Sequence, residues 1–399
     1  MSKKLIFIIV ALFAVQISVY TITHNWEEKQ IPKKPSTILG DEQYLLEKYP
    51  DYEIREIVYL NGQNLTEVPA EILLFKNLKY LHLENNQLTD FPYEVLELEH
   101  LEHLFLNNNS IEIVNIEQFI NASESLHILE LAENQLKEIN GLYNFPNLTQ
   151  LDLSNNGLTE LTIQTLNLER INLSSNDFRF IPNLSETQCR FVGLTNNRIE
   201  TLDFNQLPYL VEILEVQNNE ISSVIINEEE LNFFRLNELD LSSNALTLFP
   251  NEVLKIKTLS ILKLNQNLIS LWSSEDMPIN ENIKKIDLAD NNLIILLVDL
   301  NTLLPNLQSL VLANNRLVSI ALNHDNLYVL HLQGNDKAIC DLKLFNLNRF
   351  HCDYSQIETE EDLIVVPNLE DLRVYNSEGF TVSQEVANLR FLTADITYE

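Results

Sequence analysis

An asparagine returns every 20 to 25 residues along this chain, each time behind the same spacing of leucines. The segment Leu78–Lys79–Tyr80–Leu81–His82–Leu83–Glu84–Asn85–Asn86–Gln87–Leu88 gives the template LxxLxLxxNxL. Its asparagine slot is filled in turn by Asn86, Asn109, Asn134, Asn156, Asn176, Asn197, Asn219, Asn244, Asn267, Asn291, Asn315 and Asn335, and Val58, Leu60 and Leu65 set one earlier turn in frame with Gln63 in the slot. Within each unit the LxL alternation is a strand signal, with leucines on one face and variable residues on the other. One such strand cannot bury its leucines alone, so about thirteen units must stack into a parallel ladder with one continuous core.

The asparagine sits where the chain leaves the strand. Buried there, its amide must find partners, and two donors with one acceptor suit the backbone of its own turn and of the neighbouring turn. The expected role is structural. Some units continue past the asparagine with a further signature: Leu65–Thr66–Glu67–Val68–Pro69, Leu88–Thr89–Asp90–Phe91–Pro92 and Leu246–Thr247–Leu248–Phe249–Pro250. With these residues the stretch from about Ile54 to Asn335 resembles the extracellular type of leucine-rich repeat protein, which includes Toll-like receptor ectodomains and the secreted leucine-rich repeat proteins of arthropod immunity. The resemblance implies an α/β repeat solenoid, a horseshoe with a parallel β-sheet on the concave face and mostly irregular or short helical convex segments. It says little about function, because the repeat hosts many unrelated partners.

With 58 acidic against 26 basic residues the formal charge is −32, so phosphate-rich nucleic acid is excluded as a natural partner and an anionic membrane surface is disfavoured. Acidity keeps a long leucine-rich body soluble and allows a basic ligand. At the N-terminus Lys3 and Lys4 precede an apolar run from Leu5 to Val19, too short for a comfortable span, which predicts a signal peptide over residues 1–20, or a signal anchor if uncleaved. Secretion follows as the expected location. Sequons at Asn64, Asn108, Asn121, Asn147, Asn172 and Asn183 agree with export, although an asparagine-rich repeat also generates them by chance.

Residues 21–53 form the expected N-terminal cap, with a small helix over 41–53, residues 54–335 the repeats, and residues 336–399 a C-terminal cap in which Leu369–Glu370–Asp371–Leu372–Arg373–Val374 opens a degenerate repeat. Cys340 and Cys352 resemble the cysteine-containing cap that closes extracellular repeats, and the resemblance implies a bond between them; the family's usual cysteine two residues on is here Leu342. Cys189 occupies a leucine slot and reads as a core thiol, or else as an unpaired cysteine open to an intermolecular bridge.

Sites for chemistry are not evident. The seven glycines form no phosphate-cradling loop, there is neither GxSxG nor HExxH, and His82 and His103 lack a third metal ligand. No catalytic residue, cofactor or metal is expected. What remains is the outward face of the strands, read as two columns. One begins Ile57, Tyr80, His103, Ile128; the other begins Tyr59, His82, Phe105, Glu130, and reaches Glu215 further on. The first seven of these residues to be met along the chain, Ile57 to Ile128, predict one aromatic-rich patch, a composition favoured at binding sites, unless residues 21–53 cover it. Glu130 and Glu215 leave room for a basic protein or peptide. Two other readings stay open: a self-associating structural or adhesive protein, dimerising through the patch or held at a membrane by a retained signal, and an intracellular repeat scaffold.

Overall fold

The computed structural model describes residues 42–119, 124–164, 167–227, 234–335, 339–344, 346–353, 368–375 and 391–394. The signal segment, most of the N-terminal cap, Asn121 and the last residues lie outside this set. The described chain is a parallel-strand solenoid. Its main sheet has sixteen strands, beginning Ile57–Tyr59, Tyr80–His82, His103–Phe105 and Ile128–Glu130, each paired in parallel with the corresponding strand of the next turn. Inward leucines such as Leu81, Leu83, Leu104 and Leu106 are fully buried in one continuous core.

Each ladder asparagine makes the same three contacts. In the turn of Asn197, Nδ2 donates to the carbonyls of Leu194 (3.1 Å) and Leu173 (3.0 Å), while Oδ1 accepts from the amide of Phe178 (3.1 Å). One side chain thus ties its own strand exit to the turn before it. The residue preceding the asparagine is left-handed turn after turn, as at Asn85 (φ 59°), Asn108 (φ 55°), Ser175 (φ 57°) and Asn314 (φ 54°). Small polar side chains tolerate that region best. At Gly334 (φ +77°) the last such corner packs so closely that a Cβ would stand 2.9 Å from Asn314 Cα, so only glycine fits.

The return side divides by local sequence. Where proline follows the inward residue, at Pro69, Pro92 and Pro250, the missing amide ends strand pairing and the chain enters a short 3₁₀ turn: Ala70–Leu74, Tyr93–Glu97 and Asn251–Lys255. Where β-branched or alternating residues stand instead, the return side forms its own parallel strands, a feature beyond the irregular or helical segments that the resemblance implies. Ile113–Asn115 pairs with Glu138–Asn140, Thr201–Asp203 pairs with Ser223–Ile225, and a four-stranded sheet joins Leu271–Ser273, Ile295–Leu297, Ser319–Asn323 and Ile339–Lys343.

At the start, the helix Glu42–Lys48 leads into Tyr49, whose ring meets Phe75 edge-on at 6.1 Å. The Tyr49 hydroxyl donates to the Tyr59 carbonyl (2.9 Å) and accepts from the Tyr59 amide (3.2 Å), satisfying the open edge of the first strand. At the other end the main sheet continues past the thirteen turns marked by the leucine pattern, through Arg349–Asp353, Asp371–Tyr375 and Phe391–Ala394. In the first of these Phe350 and Cys352 fill inward slots and are buried, so the turn is not visible as a leucine motif. Cys340 belongs to the return-side sheet, and its side chain, hence the expected Cys340–Cys352 bond, lies outside what is described. Cys189 is buried, and burial pushes its thiol up to about 11.

Candidate functional site: the N-terminal end of the concave face

Parallel in-register pairing places residues of one column on adjacent strands about 4.8 Å apart, and flat side chains at that spacing stack. The structure pairs Ile57 with Tyr80, Tyr80 with His103 and His103 with Ile128, and likewise Tyr59 with His82, His82 with Phe105 and Phe105 with Glu130. Two ring stacks result. Tyr59, His82 and Phe105 follow one another at centroid separations of 4.6 and 4.5 Å, and Tyr80 lies on His103 at 4.4 Å. His103 also meets Phe105 at 6.1 Å, joining the stacks into one patch. Tyr59 is 48% exposed and Ile57 36%, so the patch opens to solvent at its outer end. The rings turn edges rather than faces outward, which suits an amphipathic partner surface more than a flat ligand.

Behind the stack, carboxylates gather. Glu130 follows Phe105 in the column, and its Oε2 accepts from Asn107 Nδ2 at 2.6 Å; Asn107 Oδ1 in turn accepts from the Ala132 amide. Burial raises the Glu130 carboxyl above the usual range, opposed by the Asn107 bond and reinforced by Asp152 and Glu84. Glu84 holds His82 Nδ1 with Oε1 at 2.9 Å, while its Oε2 is buried without a hydrogen-bond partner. Burial lowers the imidazole of His103. The end of the aromatic stack therefore holds two carboxyl groups, Glu130 bonded to Asn107 and Glu84 with one buried oxygen left unpartnered.

Eight of the nine partner-binding candidates, Ile57 through Glu130, are thus brought together. Glu215 is not among them. It lies four strands beyond Glu130, about 19 Å along the ladder. There burial raises its carboxyl, Arg170 opposes the shift, and Asp240 adds to it. Arg170 itself lies over the Phe191 ring at 3.6 Å. The aspartates of the column serve local needs: Asp152 Oδ1 accepts from the amide and hydroxyl of Ser154, Asp240 Oδ1 does the same for Ser242, and Lys263 bridges Glu238 and Asp240.

Column reading missed Glu84 and Asn107, which stand one register step further along the strand. It reached His331 but missed the turn beyond, where His351 stacks on His331 at 4.0 Å beside Arg349, Asp371 and Arg373. Reading Leu347–Asn348–Arg349–Phe350–His351–Cys352 as LxxLxL with substitutions would have found it. Burial, the His331 ring and the Arg373 guanidinium hold the His351 imidazole down at about 4, from an ordinary 6.5. Between those values the unfolded chain binds a proton that the folded chain refuses, so stability is complete above pH 6.5 and is lost as pH falls towards 4. From pH 7 to pH 5.5 this single group should cost about 1 kcal/mol. In urea titrations, His351→Leu should remove that share of the pH slope; an unaltered slope would place the sensitivity elsewhere.

Among the described residues no group of three or more His, Cys, Asp or Glu side chains could hold a metal ion, and no helix is long and apolar enough to cross a membrane.

Fold and face together define a leucine-rich repeat protein. The family described as leucine-rich repeats (two copies) matches residues 76–121 and 124–166. Human Toll-like receptor 2 is 30% identical over 185 residues, 44% of this chain and 22% of the receptor, and the Macaca mulatta receptor is 29% identical over the same length. The chain thus spans about a fifth of the curated relatives it matches. Among solved structures, the LRIM1/APL1C complex aligns with a TM-score of 0.68 at 20% identity, over 86% of this chain and 65% of that one. The APL1 leucine-rich repeat domain gives 0.64 at 20% identity, over 86% and 91%. A Leptospira interrogans leucine-rich repeat protein gives 0.57 at 23% identity, over 80% and 84%. The chain has the leucine-rich repeat fold, and its repeats are similar to those of Toll-like receptor 2.

Proposed function

We propose that this chain is exported and recognises a protein or other macromolecule through the N-terminal end of its concave face, in a role such as innate immunity or cell-surface recognition. The observation that carries the reading is the solvent-open pair of ring stacks, Tyr59–His82–Phe105 and Tyr80–His103, bordered by Glu84 and Glu130. Exposed aromatic surface next to the carboxyl groups of Glu84 and Glu130 favours a partner that brings an apolar contact and a basic side chain, not nucleic acid. Binding, not catalysis, is the proposed activity. Relatives support the setting: LRIM1 and APL1C were solved as a complex, and the leucine-rich repeats of FLRT2, similar at a TM-score of 0.54, within an octameric complex with latrophilin 3 and Unc5D.

The export half of the proposal includes a cleaved segment 1–20, a Cys340–Cys352 bond and glycans on exposed sequons such as Asn64, Asn108, Asn147 and Asn183. Asn172 stands apart. Its amide donates to Asp152 Oδ2 (3.2 Å) and accepts from Ser174 N (3.2 Å) within the concave face, so a sugar there would break the contact and obstruct the centre. The aromatic end remains accessible in either case.

Photo-crosslinking tests the reading on protein recovered from eukaryotic culture medium. Benzoylphenylalanine replaces Tyr59, Tyr80 or Phe105 in separate variants, with the exposed return-side Tyr143 as control. Crosslinks to one extracellular partner from the concave positions, several-fold above Tyr143, are the expected result. Equal yields from both sides would overturn concave recognition, and a chain retained in cells with free thiols and bare sequons would overturn export.

A further inference from the structure

The return side of the coil changes character along its length. In the later turns the two positions after the inward residue that follows the ladder asparagine lie beside their counterparts: Ser270 N donates to Thr247 O, Ile294 N to Ser270 O, and Val318 N to Ile294 O. In the seven turns opened by Leu65, Leu88, Ile111, Leu136, Leu158, Phe178 and Ile199, at least one of the two positions is charged, as in Glu67, Asp90, Glu112, Lys137, Glu160, Arg179 and Glu200. Some of these charges pair across turns, Lys137 with Glu112 at 2.7 Å and Arg179 with Glu200 at 3.9 Å. In the next five turns neither position is charged: Ser222–Ser223, Thr247–Leu248, Ser270–Leu271, Ile294–Ile295 and Val318–Ser319.

Aliphatic side chains take their place, and they face water. Leu248, Leu271 and Ile295 are consecutive in register, Leu297 lies two residues along, and Ile294 and Val318 flank them. All six are between 36% and 59% exposed, while the alternate residues Trp272, Leu296 and Ile320 are buried beneath. The row amounts to on the order of 500 Å² of contiguous apolar surface, a size that marks interaction sites rather than scatter. Serine and threonine hydroxyls, at Thr247, Ser270, Ser273 and Ser319, edge it.

We propose that a second copy of this chain docks on this flank. Two observations select that occupant. Apposing the row with itself would bury about 1,000 Å² before the hydroxyl rim is added, the threshold of a specific interface. The charge of −32 makes contact between two copies repulsive wherever carboxylates meet, and this flank carries none at its exposed row. A two-fold pairing of like surfaces satisfies both conditions and leaves the aromatic end of the concave face to its own partner. The inference does not depend on what that partner is.

Sedimentation velocity on the full chain from culture medium tests it, across protein concentration and at two salt concentrations. Wild type should form a reversible dimer that tightens with salt, because screening weakens the repulsion and leaves the apolar contact intact. Leu271→Glu/Ile295→Glu should raise the dissociation constant at least about tenfold, and Leu271→Ser/Ile295→Ser, which introduces a residue already present in register at Ser319, should weaken it with an unchanged thermal transition. Tyr59→Ala/Phe105→Ala should leave the dimer whole. A wild-type monomer at every concentration overturns the proposal, as does a dimer indifferent to the flank variants or lost in the aromatic ones. A monomer that floats with phosphatidylcholine vesicles would assign the row to lipid and equally overturn it.

Discussion

Asn197→Leu should destabilise the solenoid by about 2 kcal/mol, with most of the loss local to its own and the preceding turn. Leucine has the branching and heavy-atom count of asparagine and a larger volume, so the effect is one of polarity and not of a cavity. The Phe178 amide loses its acceptor in buried surroundings, and the carbonyls of Leu173 and Leu194 each lose one of two donors, keeping Asn176 Nδ2 (3.1 Å) and Asn219 Nδ2 (2.9 Å). The orphaned amide costs about 1–3 kcal/mol before the turn relaxes. The chain supplies its own control. Gln63 occupies the same slot in the first turn, yet its amide Nε2 reaches only the exposed Asn61 carbonyl at 3.2 Å. Gln63→Leu should therefore change the unfolding free energy measured in urea by less than about 0.5 kcal/mol. Equal losses at the two positions would show that the slot matters for shape alone.

Trp272→Ala is expected to cost about 4 kcal/mol, the larger of the two effects. The indole is fully buried under the second sheet and stacks on Phe249 at 4.2 Å with the planes 8° apart. Removing it leaves a void between two return-side strands that the rigid leucine ladder cannot close. Because each turn contacts only its neighbours, hydrogen exchange should quicken over the turns from Leu246 to about Leu304 and stay unchanged before Leu158. Uniform acceleration along the chain would instead show that the solenoid unfolds as a single unit.

Much of this protein is legible in its sequence, for a physical reason. A parallel ladder repeats one set of contacts, so a residue type needed once is needed every turn, and the leucine and asparagine spacing reports core, strand and register together. The columns from Ile57 to Val329 and from Tyr59 to His331 follow from that register alone. Legibility fails where a different residue meets the same need. Phe350 and Cys352 occupy leucine slots, so the turn holding His351 is disguised, and with it the histidine pair at the far end of the face. The return-side strands were equally hard to see, because three extended residues differ little from an irregular segment until a neighbouring turn pairs with them.

The sequence by itself determined the solenoid, its handoff from strand to asparagine, its acidity, and the aromatic composition of the first turns, since each is carried by local pattern and by sums over residues. The tertiary structure decided three further matters: the rings of Tyr59, His82 and Phe105 stack in line, Glu84 joins Glu130 behind them while Glu215 stands apart, and Leu248, Leu271 and Ile295 share one exposed row. Those facts depend on which atoms face one another across turns twenty or more residues apart and on which of them water still reaches. Only the packed coil fixes both.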